Sequence, residues 1–164
     1  MIPWTGRLWS LAARRDVLDS LSRTMPDAVA SLRSGTMDPE GFESMLAAVH
    51  THGLSPITLG NSHGWPFVLW LEFWASATIG PEAAATMPPL GASPYPAFSS
   101  AIADLRRWRS LGWFDKPAWP AGWAQGLSPL NNGTAVFAIL GEAQLTALSP
   151  ATRGLLEFLP FPRK

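Results

Sequence analysis

The sequence contains no cysteine, so disulfides, thiolate nucleophiles and thiolate metal sites are all excluded. Net charge is absent too, because 12 Lys and Arg residues balance 12 Asp and Glu residues. A chain without net charge has no long-range field to attract nucleic acid, an anionic membrane or an acidic substrate. We therefore expect no nucleic-acid partner, while the redox compartment is left undetermined.

Long apolar runs are also missing. The most apolar stretch, residues 65–79, is too short to span a bilayer and contains Pro66 and Glu72. The start of the chain lacks the pattern of a signal peptide, because Arg14 and Arg15 stand where a long apolar region and a cleavage site would be needed. Either an export signal has been removed or the protein never had one, which leaves a cytoplasmic location open.

Motifs for catalysis and metal binding are scarce. His50 and His52 are two residues apart, so on a helix they do not share a face. His63 has no Asp, Glu or Cys neighbour at ligand spacing. Phosphate-binding glycine loops and dinucleotide fingerprints do not occur. We therefore expect no metal, no cofactor and no catalytic residue, and we expect that the protein is not an enzyme.

Tryptophan is what the sequence has in excess. Nine of the 164 residues are Trp, whereas only 15% of residues are charged, against about 25% in an average globular chain. A surface with so few charges is expected to carry apolar patches. At this length the chain fits one compact domain with a core of its own.

The apolar pattern predicts an α/β fold, rich in helix and with a small sheet. Asp38 and Pro39 form a good helix start, and an apolar stripe at helical spacing follows them up to Gly53. Residues 65–79 are apolar nearly all round, which predicts a buried helix. Further helices are predicted over residues 15–23, 98–112 and 142–148, strands over 54–59, 134–140 and 155–159, and irregular structure over most of 81–96 and 113–129.

The helical tryptophans are predicted to belong to the core. Trp70, Trp74 and Trp108 all fall in predicted helices, whereas other tryptophans fall in loops or at helix starts. Pro26 is interpreted as the residue that interrupts the first helix.

Five segments of the chain occur in a characteristic order. They are IPWTGRLWSLAARRDVLDSL, GLSPITLGNSHGWPFVLW, FSSAIADLRRWRSLGWFD, LNNGTAVFAILGEAQL and LLEFLPFPR. The second contains a strand, a polar loop and a Gly-Trp-Pro helix start, and the last is a strand that ends in Pro-x-Pro. In order and spacing these segments resemble the extracellular solute-binding proteins of bacterial carbohydrate ABC transporters.

The resemblance implies one lobe of a periplasmic-binding-protein-like fold. It implies a single domain over residues 1–164, with a crossover and short helices in 1–37 and the lobe core in 38–164. Proteins of that family are normally more than twice as long and close two lobes on a ligand. The chain resembles only their middle, carboxyl-lobe portion, which indicates a truncated relative.

The resemblance also implies a function and a place in the cell. It implies binding of a small polar ligand, a sugar or oligosaccharide, as the solute-binding component of an uptake system. The partner would be the membrane permease of an ABC transporter, and the location would be periplasmic or extracellular. One departure concerns Ala143, which stands where the family often has a sugar-stacking aromatic soon after the glycine that matches Gly141.

A sugar site needs flat aromatic rings for the C–H face of the sugar and polar side chains for its hydroxyl groups. Trp65 follows a polar loop at the carboxyl end of a predicted strand and opens a helix whose first N–H groups are free. Ser62, His63 and Trp65 are therefore the preferred ligand contacts. The alternative for Trp65 is that its ring only packs the helix start.

Five further residues are candidates for ligand binding. In the resembling crossover Trp4 and Arg7 border the cleft, where a planar guanidinium can hold neighbouring hydroxyls. Trp119 and Trp123 stand among Pro and Gly residues, so they either line a groove or pack against their own domain. Glu142 opens a predicted helix, whose amino terminus stabilises a carboxylate with or without a ligand.

Two other functions are weighed against sugar binding. A truncated relative that has lost transport would serve as an oligomeric structural or interaction module, because low surface charge and an exposed former lobe interface favour self-association. Convergence of Trp65, Trp119 and Trp123 on an open groove would favour ligand binding instead. A small hydrolase would need two facing carboxylates, for which the candidates are Glu40, Glu43 and Glu72.

Overall fold

The computed structural model describes residues 9–80, 82–83, 86 and 96–164, except for the side chain of Ala97. Trp4 and Arg7 lie outside the described residues, as does most of the loop predicted over residues 81–96. None of the helices in the described part of the chain is both long enough and apolar enough to cross a membrane.

A four-stranded mixed sheet forms the centre of the fold. The strands are β1 (Ser10–Arg14), β2 (Ser55–Ile57), β3 (Ala135–Leu140) and β4 (Leu156–Leu159), in the spatial order β2-β3-β1-β4. β2 and β3 are parallel, whereas β1 runs antiparallel to both of its neighbours. Ala12 of β1 lies opposite Ala138 on one side and Phe158 on the other. The carboxyl ends of β2 and β3 and the amino end of β1 therefore meet at one edge of the sheet.

Helices make up most of the described chain, which confirms the predicted helix-rich α/β class with a small sheet. The helices are α1 (Arg15–Leu21), α2 (Pro26–Ser34), α3 (Pro39–Thr51), α4 (Trp65–Ile79), α5 (Pro96–Ser110), α6 (Ser128–Asn132), α7 (Glu142–Leu145) and α8 (Pro150–Leu155), with a 3₁₀ turn at Gln125–Leu127 before α6.

Helix α3 begins where the sequence predicts. The Asp38 side chain accepts a hydrogen bond of 2.7 Å from the backbone N–H of Gly41 and so caps the helix. The predicted apolar stripe is buried in full, and it consists of Phe42, Met45, Leu46 and Val49.

Helix α4 supplies the centre of the core, as the sequence predicts. Trp70 and Trp74 are each 1% exposed, and Trp108 of α5 is fully buried. The rings of Trp74 and Trp108 meet edge to face, with their centroids 4.5 Å apart. The Phe42 ring connects this cluster to the sheet, because its centroid lies 5.4 Å from that of the Phe137 ring. The two long helices α4 and α5 are thereby fixed against each other and against β3.

Four elements were not predicted from the sequence, namely the strand β1 and the helices α2, α6 and α8. β1 was not predicted, because its residues Ser10–Arg14 include two alanines and lack the β-branched and aromatic residues typical of strands. Tertiary pairing determines its conformation, since it lies between β3 and β4. Helix α2 was also missed, because Pro26 was interpreted as an interruption although proline is favoured in the first turn of a helix.

Candidate functional site

Two loops join to form a rim at the carboxyl end of β2. The backbone N–H of Asn61 donates to the carbonyl of Trp119 at 2.9 Å, and that of Ser62 donates to the carbonyl of Ala121 at 3.1 Å. The Thr58 hydroxyl donates to the Gly126 carbonyl at 2.6 Å. The loop before α4 and the loop that contains Trp119 and Trp123 therefore form one connected structure.

The start of α4 is fixed within this rim. Gly64 adopts a left-handed φ of 77°, and the helix begins at the next residue, Trp65. The Asn61 side chain accepts a hydrogen bond of 3.2 Å from the backbone N–H of Phe67, which satisfies one of the free donors of the first turn. The Trp65 ring is thus presented at the edge of the sheet by a rigid helix start.

A shallow depression lies behind this rim. The Trp65 and Trp123 side chains both line it, together with Thr58, Gln144 and the apolar residues Leu59, Pro66, Trp70, Leu127 and Ile139. Its volume is about 20 Å³, which is room for roughly one water molecule. The depression can receive the edge of a ligand but cannot enclose one.

The depression is uncharged. Its described lining contains no Asp, Glu, Lys, Arg or His, and its polar side chains are those of Thr58 and Gln144. The Gln144 side-chain oxygen accepts from the backbone N–H of Gly141 at 3.2 Å. Its amide nitrogen makes no hydrogen bond to the described residues, so this nitrogen is a donor that a ligand can use.

Trp9 is an aromatic neighbour of the site that the sequence analysis missed. Its ring lies against Trp65, with centroids 5.6 Å apart and planes inclined at 53°. A side-chain carbon built on Gly141 would lie 3.2 Å from the Trp9 ring, so the ring packs on the Gly141 backbone. Trp9 precedes β1, and β1 begins opposite Leu140 at the end of β3. Prediction of β1 would have placed Trp9 at this edge.

The other predicted contacts that the structure describes do not line the depression. Ser62 and His63 are exposed on the rim, where the Ser62 hydroxyl and His63 Nδ1 are 2.9 Å apart. Glu142 is exposed at the first residue of α7. Trp119 does not line the depression, and it lines a separate cavity with Arg109, Phe114, Lys116 and Pro120. Trp65 and Trp123 therefore converge on one site, and Trp119 does not join them.

The rim loop matches the pattern Gly-x-Ser-x-Gly over residues 60–64, a match that the sequence analysis overlooked. In hydrolases that pattern places a nucleophilic serine on a strained turn between a strand and a helix. Among the described residues only glycines have positive φ, so Ser62 lacks that strain. The described residues also give His63 no carboxylate partner. The loop therefore lacks the features of a catalytic serine site.

The carboxylates of the hydrolase alternative belong to another region. A groove of about 470 Å³ is lined by Asp38, Pro39, Glu40, Glu43, Trp74, Thr78, Asp104, Arg107 and Lys164. On α4, Trp74 and Thr78 stand about 14 to 20 Å along the helix axis from Trp65, at 1.5 Å per residue. Within the described part of the chain, no group of three or more His, Asp or Glu residues is arranged to hold a metal ion.

Carboxylates in this groove are already engaged by donors. Trp108 Nε1 donates to Glu43 at 2.8 Å, and Trp74 Nε1 donates to Asp104 at 2.9 Å. Arg107 donates to both carboxylates. These contacts connect α3, α4 and α5, which indicates a structural role for both carboxylates.

Comparison with known proteins finds similarity in three-dimensional structure only. No protein-family model and no curated protein matches the sequence. The bacterial solute receptor AcbH, described as having an exclusive preference for β-D-galactopyranose, superposes with a TM-score of 0.72 at 16% identity, over 96% of this chain and 37% of AcbH. A chitin oligosaccharide binding protein superposes with a TM-score of 0.72 at 18% identity, over 94% of this chain and 38% of that protein.

A third solved structure is similar over the same portion. It is a probable secreted solute-binding lipoprotein from Streptomyces coelicolor, with a TM-score of 0.67 at 16% identity, over 94% of this chain and 37% of the lipoprotein. The chain thus spans less than two fifths of the length of these three proteins. It has the fold of one lobe of the bacterial solute receptors, as the sequence segments predicted.

Proposed function

We propose that this lobe forms one side of a reversible binding site for a neutral sugar or oligosaccharide. The observation that supports this proposal is the convergence of Trp65 and Trp123 on an uncharged depression with a free amide donor, Gln144. Indole rings pack against the C–H face of a sugar, and an amide hydrogen-bonds its hydroxyls. The site lies outside the carboxyl ends of β2 and β3, where α/β folds commonly bind ligands.

The absence of charge in the depression indicates the class of ligand. A sugar acid or phosphate bound there would place its anionic group against Trp65, Trp123 and apolar side chains, with no described cation to neutralise it. A neutral sugar meets no such penalty. The solved structures of similar fold support the same class, since their names refer to galactopyranose and chitin oligosaccharide.

The small volume of the depression indicates that a second surface completes the site. Enclosed small-molecule sites have volumes of about 300 to 1,000 Å³, whereas this depression has a volume of about 20 Å³. A sugar would rest on Trp65 and Trp123, and a second lobe would cover its other face. Trp9 supports Trp65 from behind and supplies an aromatic ring beside Gly141, near the exposed Ala143.

We also propose Ser62, His63, Glu142, Trp4 and Arg7 as ligand contacts. We propose that the protein is the solute-binding component of an ABC transporter and passes its ligand to the membrane permease. It would act outside the cytoplasmic membrane and bind its ligand without covalent chemistry. We also propose that residues 1–164 form a single domain. The name of the lipoprotein from Streptomyces coelicolor supports the location.

A titration of intrinsic fluorescence with neutral and acidic sugars tests the proposal. Galactose and chitin oligosaccharides are expected to give a saturable change in the tryptophan fluorescence of the wild type. Galacturonate is expected to give such a change only at concentrations at least tenfold higher. Trp65→Ala and Trp123→Ala are expected to weaken binding about tenfold or more, as truncation of a central aromatic contact does. Trp119→Phe is the matched control, because Trp119 belongs to the same loop but does not line the depression.

The same titration can contradict the proposal. Binding that is equally strong in the wild type, Trp65→Ala and Trp123→Ala would show that the sugar binds elsewhere. Galacturonate that binds as tightly as galactose would show that the uncharged depression does not select the ligand.

A self-associating interaction module is the second candidate function. Phe158 of the edge strand β4 is 51% exposed, and Leu155, the residue before that strand, is 36% exposed. An exposed apolar edge strand favours pairing with another chain. Light scattering on the purified protein would support this candidate if it shows a dimer that Phe158→Ser converts to a monomer. A monomeric wild type would contradict it.

A further inference from the structure

A second cavity lies beside the rim, at Trp119 of the loop that carries Trp123. It has a volume of about 400 Å³ and is lined by Arg109, Phe114, Lys116, Trp119 and Pro120. This volume falls within the range of about 300 to 1,000 Å³ that is usual for small-molecule sites. The cavity is therefore large enough for a small ligand, unlike the depression at Trp65.

The two basic side chains of this cavity are free to bind. Arg109 and Lys116 are exposed, and neither forms an ion pair or a side-chain hydrogen bond with any of the described residues. The carboxylate adjacent to Lys116 in sequence is already engaged. Asp115 accepts from the Ser55 hydroxyl at 3.0 Å and from the Ala118 N–H at 2.8 Å. The donors of Arg109 and Lys116 are left for an external anion.

The aromatic wall of the cavity is rigid. The Trp119 ring meets Phe114 edge to face at 5.4 Å and Phe67 at 5.6 Å. Its backbone carbonyl is held by the N–H of Asn61. The Arg109 guanidinium lies over this ring, 4.5 Å from its centroid, which restrains the guanidinium while leaving its N–H groups free.

We infer that this cavity binds a small anion attached to a flat ring, through a carboxylate or phosphate group. Arg109 and Lys116 hold the charged group, because guanidinium and ammonium groups donate strong hydrogen bonds to such oxygens. The ring of the ligand packs on Pro120 and beside Trp119, one face of which is already covered by the Arg109 guanidinium. This site is separate from the proposed sugar site, because the linings of the two share no residue.

Indole N–H signals in a two-dimensional NMR spectrum of the full chain test this inference. The probes are benzoate and phenyl phosphate, with benzyl alcohol as the uncharged ring of similar size. At least one of the two anions is expected to shift one indole signal saturably, and Trp119→Phe removes that signal. Benzyl alcohol is expected to shift the same signal only at concentrations at least tenfold higher than the anion requires.

Charge variants complete the experiment. Arg109→Gln combined with Lys116→Gln is expected to weaken binding of the anion at least tenfold. Arg106→Gln, which removes an exposed charge from the same helix outside the cavity, is the matched control and is expected to bind like the wild type. The inference is overturned if neither anion shifts the Trp119 signal, if benzyl alcohol binds as tightly, or if the double variant binds like the wild type.

Discussion

Gly60 and Gly126 bring two loops of the candidate site into direct backbone contact. A side-chain carbon on Gly60 would lie 2.1 Å from the Gly122 carbonyl oxygen, and one on Gly126 would lie 2.0 Å from the Gly60 nitrogen. Both clashes are with backbone atoms, which cannot turn aside as a flexible side chain does. The absence of a side chain at both positions is therefore required for the rim to close.

We predict that Gly60→Ala and Gly126→Ala each lower the free energy of unfolding by about 3 kcal/mol, because the two loops must separate to admit the methyl group. Urea denaturation measures this change. Gly154→Ala is the matched control, since nothing lies within 4 Å of its added carbon in helix α8. That control is expected to raise stability by about 0.5 kcal/mol. Equal stabilities of Gly60→Ala and Gly154→Ala would contradict the close contact.

At the residue scale the sequence predicts burial better than it predicts sites. Trp70, Trp74 and Trp108 are buried as predicted, because helical periodicity is a local property that reports which face packs inward. The sequence could not predict that Trp119 and Trp123 line different cavities, since this depends on the tertiary packing of the loop that contains both residues. The nearness of Trp9 to Trp65 depends on strand pairing between distant segments.

At the scale of elements, the cap of α3 is a local interaction that can be tested alone. Asp38→Ala removes the acceptor of the Gly41 N–H and is expected to cost about 1 kcal/mol of unfolding free energy. Asp38→Asn keeps an acceptor oxygen and is expected to stay within a few tenths of a kcal/mol of the wild type. Thermal or urea unfolding compares the two variants. An equal loss in both would mean that the charge matters and the cap does not.

The junction of β1, α1 and α6 carries a pH-dependent contact. Arg14 donates to Asp16 at 2.6 Å and to the Leu130 carbonyl at 2.9 Å. The hydrogen bond from Arg14 lowers the pKa of Asp16 from its usual value of 3.8, although partial burial opposes this effect. Because the pKa is lowered in the folded state, the ionised carboxylate stabilises the fold above pH 3.8. This stabilisation is lost as the pH falls through the lowered pKa.

Asp16→Asn tests this contact. The wild type is expected to be more stable than Asp16→Asn at pH 7, and the difference is expected to shrink as the pH falls below 3.8. Urea denaturation at a series of pH values gives the difference directly. A difference that is constant down to pH 3 would mean that Asp16 does not form a charge-dependent contact with Arg14.

The strand β1 was missed because it has no local signal, a different cause from the misinterpreted Pro26 of α2. β1 consists of small residues with little strand preference, and its conformation follows from hydrogen bonds to β3 and β4. Ala12 and Ala13 are completely buried, so small side chains suit a central strand with layers on both faces. Elements with local signals, such as the capped helix α3 and the apolar helix α4, were predicted close to their observed bounds.

On the scale of the whole molecule, two of the three sites lie near one sheet edge. The uncharged depression lies where β2 and β3 end, and the basic cavity is lined by Phe114, which pairs with Ile57 at the end of β2. The groove with Glu43 and Asp104 lies farther along α4. The described part of the chain thus presents three surfaces of different chemistry, of which we propose the depression at Trp65 as the one that binds neutral sugars.

Assigned indole N–H signals, followed by NMR during titration with galactose and chitin oligosaccharides, test the central claim most directly. We predict saturable shifts of the Trp65 and Trp123 signals, with Trp9 following because its ring contacts Trp65. The signals of the core residues Trp70, Trp74 and Trp108 are expected to stay in place. Sugar-induced shifts confined to Trp119, or no shift of any indole at the highest soluble sugar concentration, would contradict the account.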